Sequence, residues 1–148
     1  TESPDTTRDA SVAQPAPYFE LPDIAGKTVT SSDFFGKPVA ITFWTTWNPI
    51  ATDQIRILDD VVRKDTRDLF TIVAISSQED KSAVSTFINR GGYEVGVLLD
   101  ESGAVTEAYQ ARMLPATYFL DKEGVVREMV TGILSEQRLL ERIEALLR

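Results

Sequence analysis

Residues 39–58 read Val-Ala-Ile-Thr-Phe-Trp-Thr-Thr-Trp-Asn-Pro-Ile-Ala-Thr-Asp-Gln-Ile-Arg-Ile-Leu. Their character changes halfway. Val39 to Trp44 is apolar and β-branched or aromatic apart from Thr42, which suits a strand covered on both faces, as in a parallel sheet. Asn48 is a favoured helix N-cap. Pro49 is favoured as the first helical residue, where its missing N–H would have had no partner anyway. Ile55, Leu58 and Val62 then recur at helical spacing. The stretch predicts a buried strand, a Thr-Thr-Trp turn and a helix that begins at Asn48.

Working outward toward the N-terminus, Tyr18 to Leu21 and Thr28 to Thr30 can pair as a short hairpin around the Asp23 to Lys27 loop. Residues 31–38 read as one helical turn closed by Gly36. Residues 1–14 are polar and aperiodic, a flexible lead or linker, so the folded domain is expected over 15–148. On the other side, Leu69 to Ile75 is a second β-branched run. Ser77 to Asp80 resembles a capping box before a helix carrying Val84, Phe87 and Ile88, which Gly91-Gly92 ends. Val95 to Leu99 is a third strand, followed by a turn at 100–103 and a short helix at Val105 to Tyr109. Helices between successive strands imply parallel crossovers. Leu114-Pro115-Ala116 leads into a strand ending at Leu120. Asp121 to Gly124 is a hairpin turn, and Val125 to Val130 an antiparallel edge strand. Ser135 starts a last helix striped by Leu139, Leu140, Ile143, Leu146 and Leu147.

The 148 residues contain no cysteine and no histidine, and the net charge is -8. Disulfides, thiol catalysis and His-based acid–base chemistry are therefore excluded, and no zinc-ligand pattern exists. The negative charge disfavours nucleic acid and anionic membrane as partners. No run approaches the roughly 18 apolar residues that span a bilayer, so no membrane insertion is expected. The first residue is Thr1 rather than Met, so an upstream segment is expected to have been removed. No phosphate-binding glycine loop occurs, and no cofactor is implied.

Phe43-Trp44-Thr45-Thr46-Trp47-Asn48-Pro49-Ile50-Ala51 resembles the active-site segment of thioredoxin-fold redoxins, specifically the TlpA- and ResA-like thiol–disulfide oxidoreductases, which carry Phe-Trp-Ala-Thr-Trp-Cys-x-x-Cys. The pieces around it follow the family order over roughly 15–148. The resemblance implies an α/β, thioredoxin-like three-layer sandwich with a central mixed sheet flanked by helices. It places Asn48 and Ala51 at the two cysteine positions, Gln54 at a position often held by Glu, and Pro115 at the family's cis-proline. It also implies an extracytoplasmic setting, the bacterial periplasm or cell envelope, with a membrane tether expected through a missing N-terminal segment.

No residue is left to run dithiol exchange. The expected function is a redox-inactive domain that binds a protein or extended peptide through Trp47, Asn48, Pro49, Leu114, Pro115 and Ala116. In this family a substrate peptide pairs with the backbone beside the proline, a form of strand addition. Two readings of Asn48 stand: a plain helix cap, or a helix end whose N–H groups bind a carboxylate or peptide. Trp47 either packs on the Pro115 loop or offers an aromatic platform. The alternative is a thiol–disulfide oxidoreductase by family membership; a third reading is a structural domain that dimerises. Trp44 is expected in the core. Asp59 and Asp60 are expected to be solvated. Thr45, Thr46 and Thr52 are hydroxyls near the site, with Lys37 as a remote base.

Overall fold

The computed structural model describes residues 12–148, so most of the 1–14 lead lies outside the described residues. Ala13 N–H donates to Val126 O at 2.6 Å, and Val126 N–H donates to Gln14 O at 2.9 Å. Strands β1 (Glu20–Pro22) and β2 (Thr28–Thr30) form the antiparallel hairpin. A 3-10 turn over Ser31–Phe34 follows. The chain then runs β3 (Val39–Trp44), α1 (Pro49–Lys64), β4 (Thr71–Ser77), α2 (Lys81–Gly91), β5 (Gly96–Asp100), α3 (Ala104–Ala108), β6 (Ala116–Leu120), β7 (Val126–Thr131) and α4 (Glu136–Leu147).

The main sheet has the order β5-β4-β3-β6-β7. β3, β4 and β5 are parallel, while β6 and β7 are antiparallel to their neighbours. The steps from β3 to β4 and from β4 to β5 go the same way across the sheet. Right-handed crossovers then place α1 and α2 on one face. α4 joins them, and its Leu139 and Ile143 share a core with Trp44, Ile55, Leu58 and Val84. The opposite face is covered by the N-terminal segment and residues 105–111, where Phe19 and Tyr109 meet Phe43 and Tyr118. This is the α/β three-layer sandwich with a mixed central sheet.

β3 is buried along its whole length because both of its faces are covered. Ala40 and Trp44 point to the helices, and Val39, Ile41 and Phe43 to the other side, as strand alternation requires. Thr42, the polar exception, is fully buried, and its hydroxyl pairs with that of Thr117 on β6 at 2.8 Å.

Two local expectations need correction. The cap of α2 is Asp80, whose carboxylate accepts from Ala83 N–H at 2.9 Å; Ser77 closes β4 instead of starting a capping box. Asp59 is buried, not solvated. It accepts from the N–H groups of Glu94 (2.6 Å) and Val95 (2.9 Å) and from Arg63 Nε (2.6 Å), one helical turn on. These donors replace water and tie α1 to the entry of β5. Asp60 is exposed.

Candidate functional site

Residues 45–48 carry the chain from the carboxyl end of β3 to the start of α1. Asn48 has an extended backbone, with φ -98° and ψ 112°, and its side chain turns back over the helix. Its Oδ1 accepts from the N–H groups of Ile50 at 3.0 Å and Ala51 at 3.4 Å. Its carbonyl accepts from Thr52 N–H at 2.9 Å. Pro49 has no N–H, so the donors of the first turn are engaged by Asn48 itself. A carboxylate docking at this helix end would have to displace that amide.

The same amide reaches across the fold. Asn48 Nδ2 donates to Leu114 O at 3.2 Å. The Leu114–Pro115 peptide is cis, and Pro115 O accepts from Gly132 N–H at 2.8 Å. Three separate pieces of chain therefore meet: the start of α1, the segment before β6 and the end of β7. Ala116, the first residue of β6, is buried and pairs with Phe43 on one side and Thr131 on the other. Leu114 is half-buried and Pro115 is buried. Ala51, beneath Asn48 on the helix, is fully buried.

Trp47 stands out from this junction, 73% exposed, and does not pack away on the Pro115 loop. Sequence reasoning missed three companions: Ile50 is 54% exposed, Met113 70% and Ile133 43%. Each lies within two residues of Asn48, Leu114 or Gly132, the residues that the hydrogen bonds draw together. No helical signal marks Ile50, since Gln54, Leu58 and Val61, four, eight and eleven residues on, are buried and share its phase.

Gln54 is fully buried and clamps α1 to the loop before α4. Its Nε2 donates to Leu134 O at 3.0 Å, and its Oε1 accepts from Leu134 N–H at 2.7 Å. A carboxylate could make only the second of these bonds while ionised. The hydroxyls near the site are engaged or buried. Thr46 gives both its N–H and its hydroxyl to the Glu79 carboxylate, and Thr52 Oγ1 donates to Pro49 O at 3.0 Å. Thr45 is buried. Lys37 pairs with Asp68 at 2.8 Å before the opposite end of β3, so it cannot serve these hydroxyls as a base.

Behind β6, Tyr118 donates to Tyr109 O at 2.7 Å, and Tyr109 donates to Pro17 O at 2.9 Å. Burial pushes the Tyr118 phenol up to about 12, against a smaller opposing pull from Arg112. Burial also pushes the Tyr109 phenol up, with Tyr118 adding to it. Both act as neutral struts. Among the described residues no group of three His, Cys, Asp or Glu side chains is placed to hold a metal ion.

A buried strand, a capped helix carrying positions 48 and 51, and a cis-proline segment bonded to that cap together define a protein of the thioredoxin-like redoxin class. Residues 12–129 match the AhpC/TSA family, and the chain belongs to it. Thiol-disulfide oxidoreductase ResA of Bacillus subtilis (strain 168) is 33% identical over 124 residues, spanning 84% of this chain and 69% of that protein. ResA of Geobacillus kaustophilus (strain HTA426) is 28% identical over 136 residues, 92% of this chain and 78% of that protein. Among solved structures, a thioredoxin-family thiol:disulfide interchange protein from Chlorobium tepidum superposes with a TM-score of 0.80 at 21% identity, covering 97% of this chain and 99% of its own.

Proposed function

We propose that this chain is a redox-inactive member of the thiol–disulfide oxidoreductase group that binds a protein or extended peptide across the surface around Trp47, Asn48, Pro49 and Leu114, with Pro115 and Ala116, expected on that surface, lying buried beneath it because β6 packs between β3 and β7. The observation that carries the reading is that Trp47, Ile50, Met113 and Ile133 are all exposed and each lies within two residues of Asn48, Leu114 or Gly132, which meet at a junction closed by its own hydrogen bonds. Large exposed aromatics and clustered apolar groups are features of protein-binding surfaces. The charge of -8 argues against nucleic acid and anionic lipid. Trp44 is fully buried, so a Trp44→Phe variant leaves Trp47 as the single fluorescent reporter of the surface. Titration with an unfolded, cysteine-alkylated polypeptide should shift its emission to the blue, and the Trp47→Ala, Pro115→Ala double variant should lose calorimetric binding. Undiminished binding by the double variant would refute the surface.

The second reading, an active oxidoreductase, is favoured by the names of the relatives alone. Insulin reduction above the buffer rate would establish it against the chemistry of the sequence. We place the protein outside the cytoplasm of a bacterium. A similar solved structure is described as an exposed lipoprotein thioredoxin of Streptococcus pneumoniae, and another as a secreted Mycobacterium tuberculosis disulfide oxidoreductase. Among the described residues no helix is long and apolar enough to cross a membrane. Fractionation of cells expressing the native gene tests the location.

A further inference from the structure

The chain has two sulfur atoms, both in methionines. They sit in different surroundings. Met113 is 70% exposed, in the irregular segment before the cis Leu114–Pro115 bond. Met129 is 39% exposed, within β7 and opposite Tyr118 in the sheet register. Met113 directly precedes Leu114, whose carbonyl accepts from Asn48, the neighbour of the exposed Trp47.

We propose that Met113 is an oxidation site for hydroperoxides, and that its sulfoxide makes this face of the protein polar. The thioether sulfur attacks one peroxide oxygen. An S–O bond forms, the O–O bond breaks, and the other oxygen leaves with a proton as water or an alcohol. Sulfur is oxidised by two electrons and the peroxide is reduced by two. The product is reversible by methionine sulfoxide reductases. The consequence for a partner rests on the peptide-binding reading above: the sulfoxide weakens docking, and a docked peptide covers Met113 and slows its oxidation.

Trypsin separates the two sites, because Arg112 and Lys122 bound one peptide and Arg127 and Arg138 the other. The folded full chain is treated with substoichiometric hydrogen peroxide, quenched, digested and analysed by mass spectrometry. Met113 should oxidise at least about twofold faster than Met129, following exposure, and the difference should vanish in denaturant. Equal or slower oxidation of Met113 in the folded chain would overturn the assignment. Hydrophobic-interaction chromatography gives the second readout. Oxidation should shorten the retention of the wild type, sulfoxide reductase should restore it, and Met113→Leu should be insensitive. Loss of retention that persists in Met113→Leu would also overturn it. In calorimetry, oxidised wild type and Met113→Gln should bind the alkylated polypeptide about fivefold to tenfold more weakly. If unoxidised protein binds no polypeptide, the binding reading fails, while the oxidation rates and retention still decide this proposal.

Discussion

Replacing Gln54 by Glu tests the clamp that holds α1 to the loop before α4. Gln54 gives one donor and one acceptor to Leu134, and the side chain is fully buried. A protonated Glu is nearly isosteric: its O–H can donate to Leu134 O and its carbonyl can accept from Leu134 N–H. An ionised Glu loses the first bond and sets a charge against a carbonyl in a dry site. The folded-state pKa must therefore rise above the unfolded value of about 4.3. A raised carboxyl pKa contributes stability below the unfolded value and loses it as pH climbs toward the folded value. If the group stays protonated at pH 7, the loss is about 2.7 units, or roughly 3.7 kcal/mol. With roughly 2.1 cal/mol/K per residue, a chain of 148 residues has an unfolding entropy of about 0.31 kcal/mol/K, so Tm should fall by about 12 °C. The assay is thermal melting by circular dichroism from pH 4 to pH 8 for wild type, Gln54→Glu and Gln54→Met. The gap between wild type and Gln54→Glu should open steadily with pH, while Gln54→Met stays displaced by a constant amount. A Gln54→Glu curve parallel to wild type would refute the clamp.

Asn48 separates two roles by substitution. Asn48→Ser keeps a cap and loses the bond to Leu114 O, costing about 1 kcal/mol, while Asn48→Ala loses both and costs about 2 kcal/mol; equal melting temperatures for the two would show that the cap contributes nothing. Burial pushes the Asp121 carboxyl up, but the Val125 N–H, Arg127 and the Glu123 N–H outweigh it and hold it below the usual carboxylate range. Its stabilisation is thus present above the ordinary carboxylate pKa and lost as pH falls through the lowered folded value, so the gap between wild type and Asp121→Asn in acid melts should narrow below about pH 4. The paired substitution Asn48→Cys, Ala51→Cys puts two thiols in the first turn of α1, where the helix N-terminus stabilises a thiolate. It should form a disulfide and reduce insulin, and a pair that stays reduced in air would show that the helix end has moved from the redoxin geometry.

The fold was legible because its decisive signals are local. β3 is a continuous apolar run, Asn48-Pro49 marks a helix start, and Gly92 takes the left-handed backbone that ends α2 (φ 64°). The site was legible only as positions. That Asn48 would bond Leu114, 66 residues away, depends on how α1 meets the segment before β6, which no local pattern encodes. The same holds for Gln54 and Leu134, and for Asp59 with Glu94 and Val95, where a polar side chain inside a helix found distant backbone partners. Asp59 reads as solvated in the sequence because burial of a carboxylate needs partners that tertiary structure alone supplies. Ile50, Met113 and Ile133 carry no local signal of exposure, since whether an apolar residue is covered depends on distant parts of the chain.

The hydrogen bonding at the junction also constrains how any partner could hold on. Leu114 O already accepts from Asn48, and Pro115 O from Gly132. The first-turn donors of α1 are satisfied by Asn48. A peptide pairing with this backbone would mostly exchange existing hydrogen bonds for equivalent ones, with small net gain. What remains unpaid for in the free protein is the apolar area of Trp47, Ile50, Met113 and Ile133. Binding should therefore be driven by burial of that area, which carries a negative heat-capacity change. Calorimetric titrations at several temperatures should give binding enthalpies that become more favourable on warming, with affinity little changed by added salt. An enthalpy independent of temperature, or affinity that collapses with salt, would mean that charged groups elsewhere on the surface hold the partner, and that the cluster around Pro115 does not.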